Sequence, residues 1–286
     1  MIGFLNINKP SGITSFGVVA KVRKKFNIKK VGHMGTLDPA GKGVLPIAVG
    51  KATKLFSYMQ ENEHRKCYRA VFCFNNETDT LDAEGKVVKS KEIEITNEMI
   101  QQKLPLFIGK ISQMPPIYSA KKINGKRAYD LAREGKEVLL KTKEIEVYRF
   151  EIIKQIEYNK FLFEIEVSSG TYIRSLCRDL AYSLNTYAHM SCIERLQFDN
   201  FTITNAISLE QMQNAQKLED VLITIDKVLA FEKINLNEEN YFKVRNGREI
   251  SYDIIDGRYY ALYEDKIFSV VLVKDKKMKM EIYLDD

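Results

Sequence analysis

The feature that most constrains the fold is a stretch of alternating apolar and polar side chains between Val147 and Val167. After a turn signal near residues 158–160, apolar side chains occupy every second position, at Phe161, Phe163, Ile165 and Val167. Because side chains along a strand point alternately to the two faces of a sheet, this pattern predicts an antiparallel hairpin with one buried face. A lone hairpin is marginally stable in water, so further strands should pair with it.

Two helices are predicted beside this sheet. The first covers about Ser15–Phe26, where Thr14 or Ser15 can cap the helix and an apolar stripe is formed by Phe16, Val19, Val22 and Phe26. The second follows Ser169-Gly170 and repeats an apolar side chain every four residues, at Tyr172, Leu176, Leu180 and Leu184. That stripe should face the core and leave Arg174 on a different side. No strand–helix–strand repeat is visible, so strands and helices should be mixed without parallel crossover units.

The end of the chain has a different pattern. Beyond about Phe231 the chain shows short strand signals at 259–263, 267–273 and 278–284. We therefore predict two domains within the 286 residues, a large one over 1–232 and a small all-β module over 233–286.

Composition argues against several classes of protein. The four cysteines form no C-x-x-C pair and the three histidines never fall at metal-ligand spacing, so neither disulfides nor a structural metal site is expected. The first residues lack the pattern of a secretory signal, and no apolar run approaches bilayer length. We expect a cytoplasmic protein that does not contact a membrane.

A loop rich in glycine and proline surrounds a single acid, Asp38, between Gly32 and Pro46. It is not a nucleotide-binding P-loop, because Gly35 and Gly41 are separated by one residue too many and Lys42 is followed by glycine instead of Ser or Thr. From these residues alone, Asp38 fits two interpretations. It is either a turn residue that bonds to nearby backbone amides or the reactive group of a shaped active-site loop.

Positive charge is concentrated between residues 117 and 143, where eight basic residues stand against three acidic ones. This segment contains Lys121, Lys122, Lys126 and Arg127. A local excess of this kind suits a polyanion such as RNA, and it equally suits a solvated basic surface.

Several blocks of sequence, taken together and in this order, resemble the tRNA pseudouridine-55 synthase family of the bacterial, TruB-like type. The blocks are NKPSGITS (8–15), VGHMGTLDP (31–39), GVLP (43–46), GKATK (50–54), KCYR (66–69), TDTLDAEG (78–85), PPIYSAKKING (115–125), GTYIRSL (170–176) and RL (195–196). The resemblance covers roughly residues 1 to 230. It departs from the family pattern at Gly41 and Lys42, which leaves the contacts of that part of the loop open.

The resemblance implies an α+β fold, with a mixed, mainly antiparallel sheet in a catalytic domain of pseudouridine synthase type, followed by a small all-β RNA-binding module similar to the PUA domain. It implies an isomerase that flips a uridine out of the T loop of tRNA, breaks its N1–C1′ bond and joins C5 to C1′. This rearrangement changes no redox state, so neither cofactor nor metal is expected. The partner would be the T-arm stem-loop of tRNA, bound by a monomer.

The resemblance also implies roles for individual residues. Asp38 would be the catalytic carboxylate, paired with Arg174, and Tyr68 would be suited to stack on the extruded uracil and to move a sugar proton. Further contacts with substrate are expected from His33, Lys9, Leu196, Lys121, Lys122, Lys126 and Arg127. Whether Asp38 attacks C1′, attacks C6 or assists elimination stays open.

Alternatives to these roles remain. Without the resemblance, Tyr68 is a core residue of a strand and Arg174 an exposed helix residue. An RNA-binding or RNA-folding protein without catalysis would explain the basic segment and the tail, but it would not need Asp38, Tyr68 and Arg174 together. A pseudouridine synthase that acts on another RNA is the third hypothesis.

Overall fold

The computed structural model describes residues 1–61, 64–118, 122–123, 126–127 and 140–285, with backbone alone at 60–61, 122–123 and 126–127. The strands are β1 (Gly3–Lys9), β2 (Val31–His33), β3 (Lys42–Val49), β4 (Lys66–Phe74), β5 (Asn76–Thr78), β6 (Val87–Ser90), β7 (Gly109–Gln113), β8 (Lys122–Ile123), β9 (Lys126–Arg127), β10 (Lys143–Glu157), β11 (Lys160–Val167), β12 (Ala188–Phe198), β13 (Phe201–Thr202), β14 (Ile207–Ser208), β15 (Glu232–Asn235), β16 (Ile250–Ser251), β17 (Gly257–Tyr263), β18 (Lys266–Lys274) and β19 (Lys277–Tyr283).

The α-helices are α1 (Ser15–Phe26), α2 (Phe56–Glu61), α3 (Asn97–Lys103), α4 (Ile173–Ser183), α5 (Leu209–Asn214), α6 (Ile225–Val228) and α7 (Glu238–Arg245). Short 3₁₀ helices cover Gly50–Leu55, Leu104–Phe107, Ile203–Asn205 and Leu218–Asp220. Among the helices described, none is long and apolar enough to cross a membrane.

The chain divides into two compact units. The first unit comprises Met1–Asp38, Leu45–Asn62 and Thr204–Asp286, and the second comprises Pro39–Val44 and Glu63–Ile203. The sheet predicted from the 147–167 pattern belongs to the second unit, and the expected mixture of strands and helices is confirmed in both.

In the first unit, α1 packs its buried face on β1 and β3. The buried side chains of α1 include Val18, Val19 and Val22, which join Leu5 and Ile47 in one core cluster. The predicted bounds of α1 are confirmed, and the Thr14 hydroxyl caps it by accepting a hydrogen bond from the Gly17 amide. The predicted stripe is wrong at one position. Phe16 is exposed, and the Arg23 guanidinium lies 5.6 Å from its ring centroid.

The C-terminal segment of the first unit contains a five-stranded sheet in the order β15-β17-β18-β19-β16. Its core includes Tyr259, Phe268 and Val271, together with Tyr241 from α7. The prediction of an all-β tail is therefore wrong in one respect, because α7 closes one side of this core. The predicted boundary near residue 233 falls at the start of β15, and its status as a domain boundary stays a prediction.

The segment also contacts earlier parts of the first unit. The buried Tyr58 hydroxyl donates to a Glu281 carboxylate oxygen at 2.9 Å, and the Arg258 guanidinium lies 4.7 Å from the Tyr58 ring centroid. The Tyr260 hydroxyl donates to the Ile225 carbonyl at 3.1 Å. Residues on the two sides of residue 233 are thus joined by hydrogen bonds and by a cation–ring contact within the first unit.

The second unit is built on strands in the order β12-β4-β11-β10-β7, which are paired antiparallel. The predicted hairpin is β10 and β11, and its turn contains Asn159 in the left-handed region with φ 54°. Helix α4 contributes the fully buried Leu176 and Leu180, as its four-residue periodicity predicts. At one end of this sheet the first residues of β3 run parallel to β12, with Gly43 opposite Arg195.

Candidate active site

The loop that carries Asp38 is anchored one residue before the carboxylate. Ser15, the first residue of α1, is buried, and its hydroxyl donates to the Leu37 carbonyl at 3.1 Å and accepts from the Leu37 amide at 2.9 Å. The Leu37 side chain is also buried, whereas Asp38 is exposed. The backbone leading to Asp38 is therefore fixed while its carboxylate stays accessible.

Two other predicted substrate-binding residues lie near the beginning of the same unit. Lys9 is fully buried, and its Nζ donates to the Ile13 carbonyl at 2.6 Å and to the Pro10 carbonyl at 3.0 Å. These contacts close the turn between β1 and α1. His33 is half-buried at the end of β2, opposite Ile47 of β3. Contact of either residue with RNA stays a prediction.

Tyr68 occupies the second unit, near the beginning of β4. It pairs with Ile165 of β11 on one side and with Arg195 of β12 on the other. The residue is only 7% exposed. Its hydroxyl is not among the buried polar atoms that lack a hydrogen-bond partner, so the stacking role expected of Tyr68 stays a prediction.

Arg174 lies in the first turn of α4 and is buried, not exposed. Its Nη1 donates to the Thr80 carbonyl at 2.9 Å and to an Asp82 carboxylate oxygen at 3.2 Å, and its Nη2 donates to the Tyr118 carbonyl at 3.1 Å. Asp82 also accepts from the Thr80 hydroxyl at 2.6 Å and from the Glu84 amide at 3.1 Å. The acidic block at 78–85 is therefore a structured turn that orients the guanidinium, a role that the sequence did not reveal.

Arg195 is a second buried arginine whose role sequence reasoning missed. Its Nε donates to the Val44 carbonyl at 2.7 Å, which ties β12 to the residues that follow the Asp38 loop. Gly43 has φ +103°, and a Cβ there would overlap the Arg195 backbone. The next residue, the half-buried Leu196, falls at a break in the β12–β4 register, a β-bulge that changes the direction of its side chain.

The two positions that depart from the family pattern, Gly41 and Lys42, can be described from their surroundings. Gly41 is buried, and Lys42 is half-buried with its Nζ 3.6 Å from a Glu194 carboxylate oxygen. An ion pair at this exposure adds little stability. Both positions therefore fit their surroundings without altering the anchoring of Leu37.

The basic segment is described only in part. Lys122 pairs with Arg127 and Ile123 with Lys126, so β8 and β9 form a short two-stranded ribbon. Lys121 lies outside the described residues. The contacts predicted for these cations with phosphates remain predictions. Across the part of the chain that is described, no group of three or more His, Cys, Asp or Glu side chains could hold a metal ion.

Comparison with known proteins gives a consistent result. The model of the family described as TruB family pseudouridylate synthase (N terminal domain) matches residues 23–173. A tRNA pseudouridine synthase B of Clostridium perfringens (strain 13 / Type A) is 42% identical over 286 residues, with 97% of this chain and 96% of the relative covered. Another, from Caldanaerobacter subterraneus subsp. tengcongensis, is 43% identical over 249 residues and covers 87% of this chain and 86% of its own length.

Solved structures share the fold. A Cbf5-Nop10-Gar1 complex contains a chain that matches with a TM-score of 0.69 at 24% identity, covering 99% of this chain and 84% of that one. An H/ACA RNP bound to a substrate RNA containing 2′-deoxyuridine matches with a TM-score of 0.69 at 22% identity, covering 99% and 85%. At these identities the likeness concerns the fold alone.

Proposed function

The chain belongs to the TruB family of pseudouridylate synthases, and from this premise we propose that it converts uridine 55 in the T loop of tRNA to pseudouridine. It is a tRNA pseudouridine synthase, an isomerase, as its curated relatives are. The N1–C1′ bond breaks, the uracil turns while bound, and a C5–C1′ bond forms. A proton leaves C5 and N1 gains one, so reactant and product are isomers and the proposed reaction consumes no cofactor.

Asp38 is the proposed catalytic carboxylate. The observation that carries this assignment is the anchoring of Leu37 by Ser15, which fixes the backbone beside an exposed acid. A group held in this way needs little reorganisation when substrate arrives, and such positioning contributes strongly to rate. Attack at C1′, attack at C6 and assisted elimination are all open to this carboxylate.

Arg174 and Tyr68 complete the proposed machinery. We assign Arg174 to holding the Asp38 carboxylate charged and aimed, since a guanidinium beside an acid favours the ionised form. The turn at 78–85 orients this guanidinium through Asp82 and Thr80. Tyr68 is proposed to stack on the extruded uracil, which would offset part of the few kcal/mol that base flipping costs. Leu196 would line the same pocket and His33 would fill the space that the base leaves.

The RNA itself is proposed to be held along the T-arm by the basic segment at Lys121, Lys122, Lys126 and Arg127, with Lys9 near the substrate. Each phosphate that these cations neutralise releases counterions, so the affinity should fall steeply with salt. Residues 233–286 are proposed as a PUA-like RNA-binding module. Their β18–β19 hairpin carries four lysines at and beside its turn, at positions 274, 276, 277 and 279. We expect a monomer that acts in the cytoplasm.

The decisive experiment incubates the purified protein with an unmodified tRNA transcript, without cofactor or metal, and maps pseudouridine by chemical derivatisation. The expected product is a single pseudouridine at position 55, which a transcript carrying cytidine there cannot yield. Asp38→Asn has nearly the same shape, so it should fold and bind RNA but lose turnover by several orders of magnitude.

Other outcomes separate the alternatives. A folded protein that binds tRNA and forms no pseudouridine would support the RNA-binding hypothesis. A product at another position, or in ribosomal RNA alone, would support a synthase for a different substrate. Parental activity in Asp38→Asn would make Asp38 a turn residue.

A further inference from the structure

Two lysines from distant parts of the sequence contact the same residue in the turn before α4. Lys66 begins β4 and Lys143 begins β10, while Ser169 follows the end of β11. Strand β11 lies between β4 and β10, and its last residue, Val167, pairs with Lys66 on one side and with Val147 on the other. The turn that follows β11 therefore lies between the two lysines. Lys66 Nζ donates to the Ser169 hydroxyl at 3.1 Å, and Lys143 Nζ donates to the Ser169 carbonyl at 3.2 Å.

Among the described residues, neither lysine has an anionic partner. Within the described residues, no carboxylate lies within ion-pair distance of Lys66 or Lys143. Lys143 is exposed, but Lys66 is only 9% exposed. Lysines are almost never buried unless they are paired. An ammonium group has three donors, and the hydrogen bond to Ser169 engages one of those of Lys66.

The surroundings of Lys66 are cationic as well. Lys66 Nζ lies 4.8 Å from the centroid of the Phe198 ring, and the Arg195 guanidinium lies 5.3 Å from the same centroid. Asp199 is the acid that opposes this charge, and it already accepts from the Arg65 amide and contacts His64. Burial first, and then repulsion from Arg195, lowers the pKa of the Lys66 ammonium from the ordinary 10.5 to about 8; Asp199 raises it and Lys143 lowers it further.

We propose that Lys66, Lys143 and the Ser169–Gly170 turn form a binding site for one phosphate group of the RNA substrate. This proposal depends on the proposed function in one respect only, namely that the RNA is tRNA. A phosphate placed here would receive the remaining donors of Lys66 and would offset the repulsion among the cations. Gly170, with φ +84°, leaves room for the Lys143 ammonium, because a Cβ there would overlap Nζ.

The position of the site relative to Tyr68 suggests which phosphate binds. Lys66 and Tyr68 are two residues apart on β4, so their side chains share one face of the sheet about 7 Å apart. Arg195 pairs with Tyr68 and Phe198 with Lys66, which places these four side chains on the same face. The phosphate should therefore belong to the target nucleotide or to its immediate neighbour, and the site would hold the backbone while the base reaches Tyr68.

The first test measures the Lys66 ammonium directly by NMR titration of labelled lysines. A T-arm stem-loop should raise the pKa of Lys66 well above 8, because the bound phosphate stabilises the charged form. Inorganic phosphate at millimolar concentration serves as the comparison. A shift with inorganic phosphate but none with the stem-loop would overturn the assignment to RNA, and no shift with either would overturn the site.

The second test measures stem-loop binding between pH 7 and pH 9. If binding needs charged Lys66, a pKa of about 8 makes the parent dissociation constant rise about tenfold over this range. Lys66→Arg stays charged and should flatten this rise, whereas Lys66→Gln should bind about tenfold more weakly at pH 7 and show a salt slope smaller by about 0.7. Lys154→Gln, which removes an exposed lysine of β10, is the matched control.

Equal binding by Lys66→Gln and Lys154→Gln would refute the site. The proposed function is judged separately, by pseudouridine formation in the parent at saturating RNA. An active parent whose Lys66 variants bind normally retains the function without the phosphate site. An inactive parent whose Lys66 titration responds to RNA retains the site without the function.

Discussion

Replacing Lys66 with Met should stabilise the folded protein in the absence of RNA, although it removes the proposed phosphate contact. Burial and repulsion from Arg195 lower the pKa of Lys66 from 10.5 to about 8. A lysine whose pKa falls on folding holds its proton more weakly in the folded than in the unfolded chain. The charged side chain therefore reduces the free energy of unfolding at every pH below about 8.

The magnitude follows from that displacement. A pKa change from 10.5 to about 8 corresponds to about 3 kcal/mol at 1.36 kcal/mol per pH unit. Met fills a similar volume without a charge but loses the hydrogen bond to Ser169, which is worth about 1 kcal/mol. Lys66→Met should thus be about 2 kcal/mol more stable than the parent at pH 7. Because the unfolded parent binds more protons between about pH 8 and pH 10.5, the parent regains stability over that range and the advantage of Met disappears.

Urea unfolding at pH 7, 8.5 and 10, followed by far-ultraviolet circular dichroism, measures this difference. The chain has no Trp and 15 Tyr, whose ionisation at high pH would disturb fluorescence. If the free energy of unfolding falls with urea concentration at the same slope in both proteins, the substitution changes stability and not the compactness of either state. Lys154→Met, at an exposed position, should stay within about 0.5 kcal/mol of the parent. A Lys66→Met protein that is less stable than the parent at pH 7, or a difference that does not shrink by pH 10, would refute the reasoning.

Three further predictions concern the candidate active site. Arg174→Lys keeps the charge but cannot reproduce three contacts of a planar guanidinium, so single-turnover rates should fall at saturating RNA and urea unfolding should show a loss of about 1–3 kcal/mol. Tyr68→Phe keeps the stacking face and should bind the stem-loop like the parent, whereas Tyr68→Leu should bind more weakly. Equal, near-parental activity in both variants would show that Tyr68 is a core-packing residue. Gly43→Ala should lose more than about 2 kcal/mol in urea unfolding, because its Cβ meets the Arg195 backbone, whereas Gly12→Ala, with φ +85° and open space, should lose only about 1 kcal/mol.

Local periodicity predicted the elements whose pattern is decided by one buried face. The hairpin of β10 and β11 follows from strict alternation, and the bounds of α1 follow from its cap. The misplaced Phe16 shows the limit of this approach. It lies one helical turn from Val19, but the face that packs on β1 and β3 runs through Ser15, Val18, Val19 and Val22, and the sequence does not state which side the sheet will cover.

The sequence proposes candidate site residues where they stand in recognisable blocks, but it does not reveal contacts that depend on strand register. Asp38, Tyr68 and Arg174 were proposed from their blocks, and their roles stay predictions. The partnership of Arg174 with Asp82 joins positions 92 residues apart, and that of Lys66 with Ser169 joins positions 103 apart. Only the pairing of β4, β11 and β12 brings such groups together. The helix α7 in the tail was missed because its apolar face is short, with buried Tyr241 and Val244.

The beginning of β4 departs from what stability alone would select, and it does so at two positions on the same face. Lys66 is buried without a carboxylate partner among the described residues, and the buried Tyr68 carries a polar hydroxyl at a position where a core strand would usually have an apolar side chain. The same face continues inward as Ala70, Phe72 and Phe74, which are ordinary core residues. Unsatisfied groups persist in a folded protein when a ligand satisfies them, at a cost to the free chain. An apolar substitution at Lys66 should therefore raise stability while it lowers RNA binding, whereas substitution of Gly43 should lower both stability and activity.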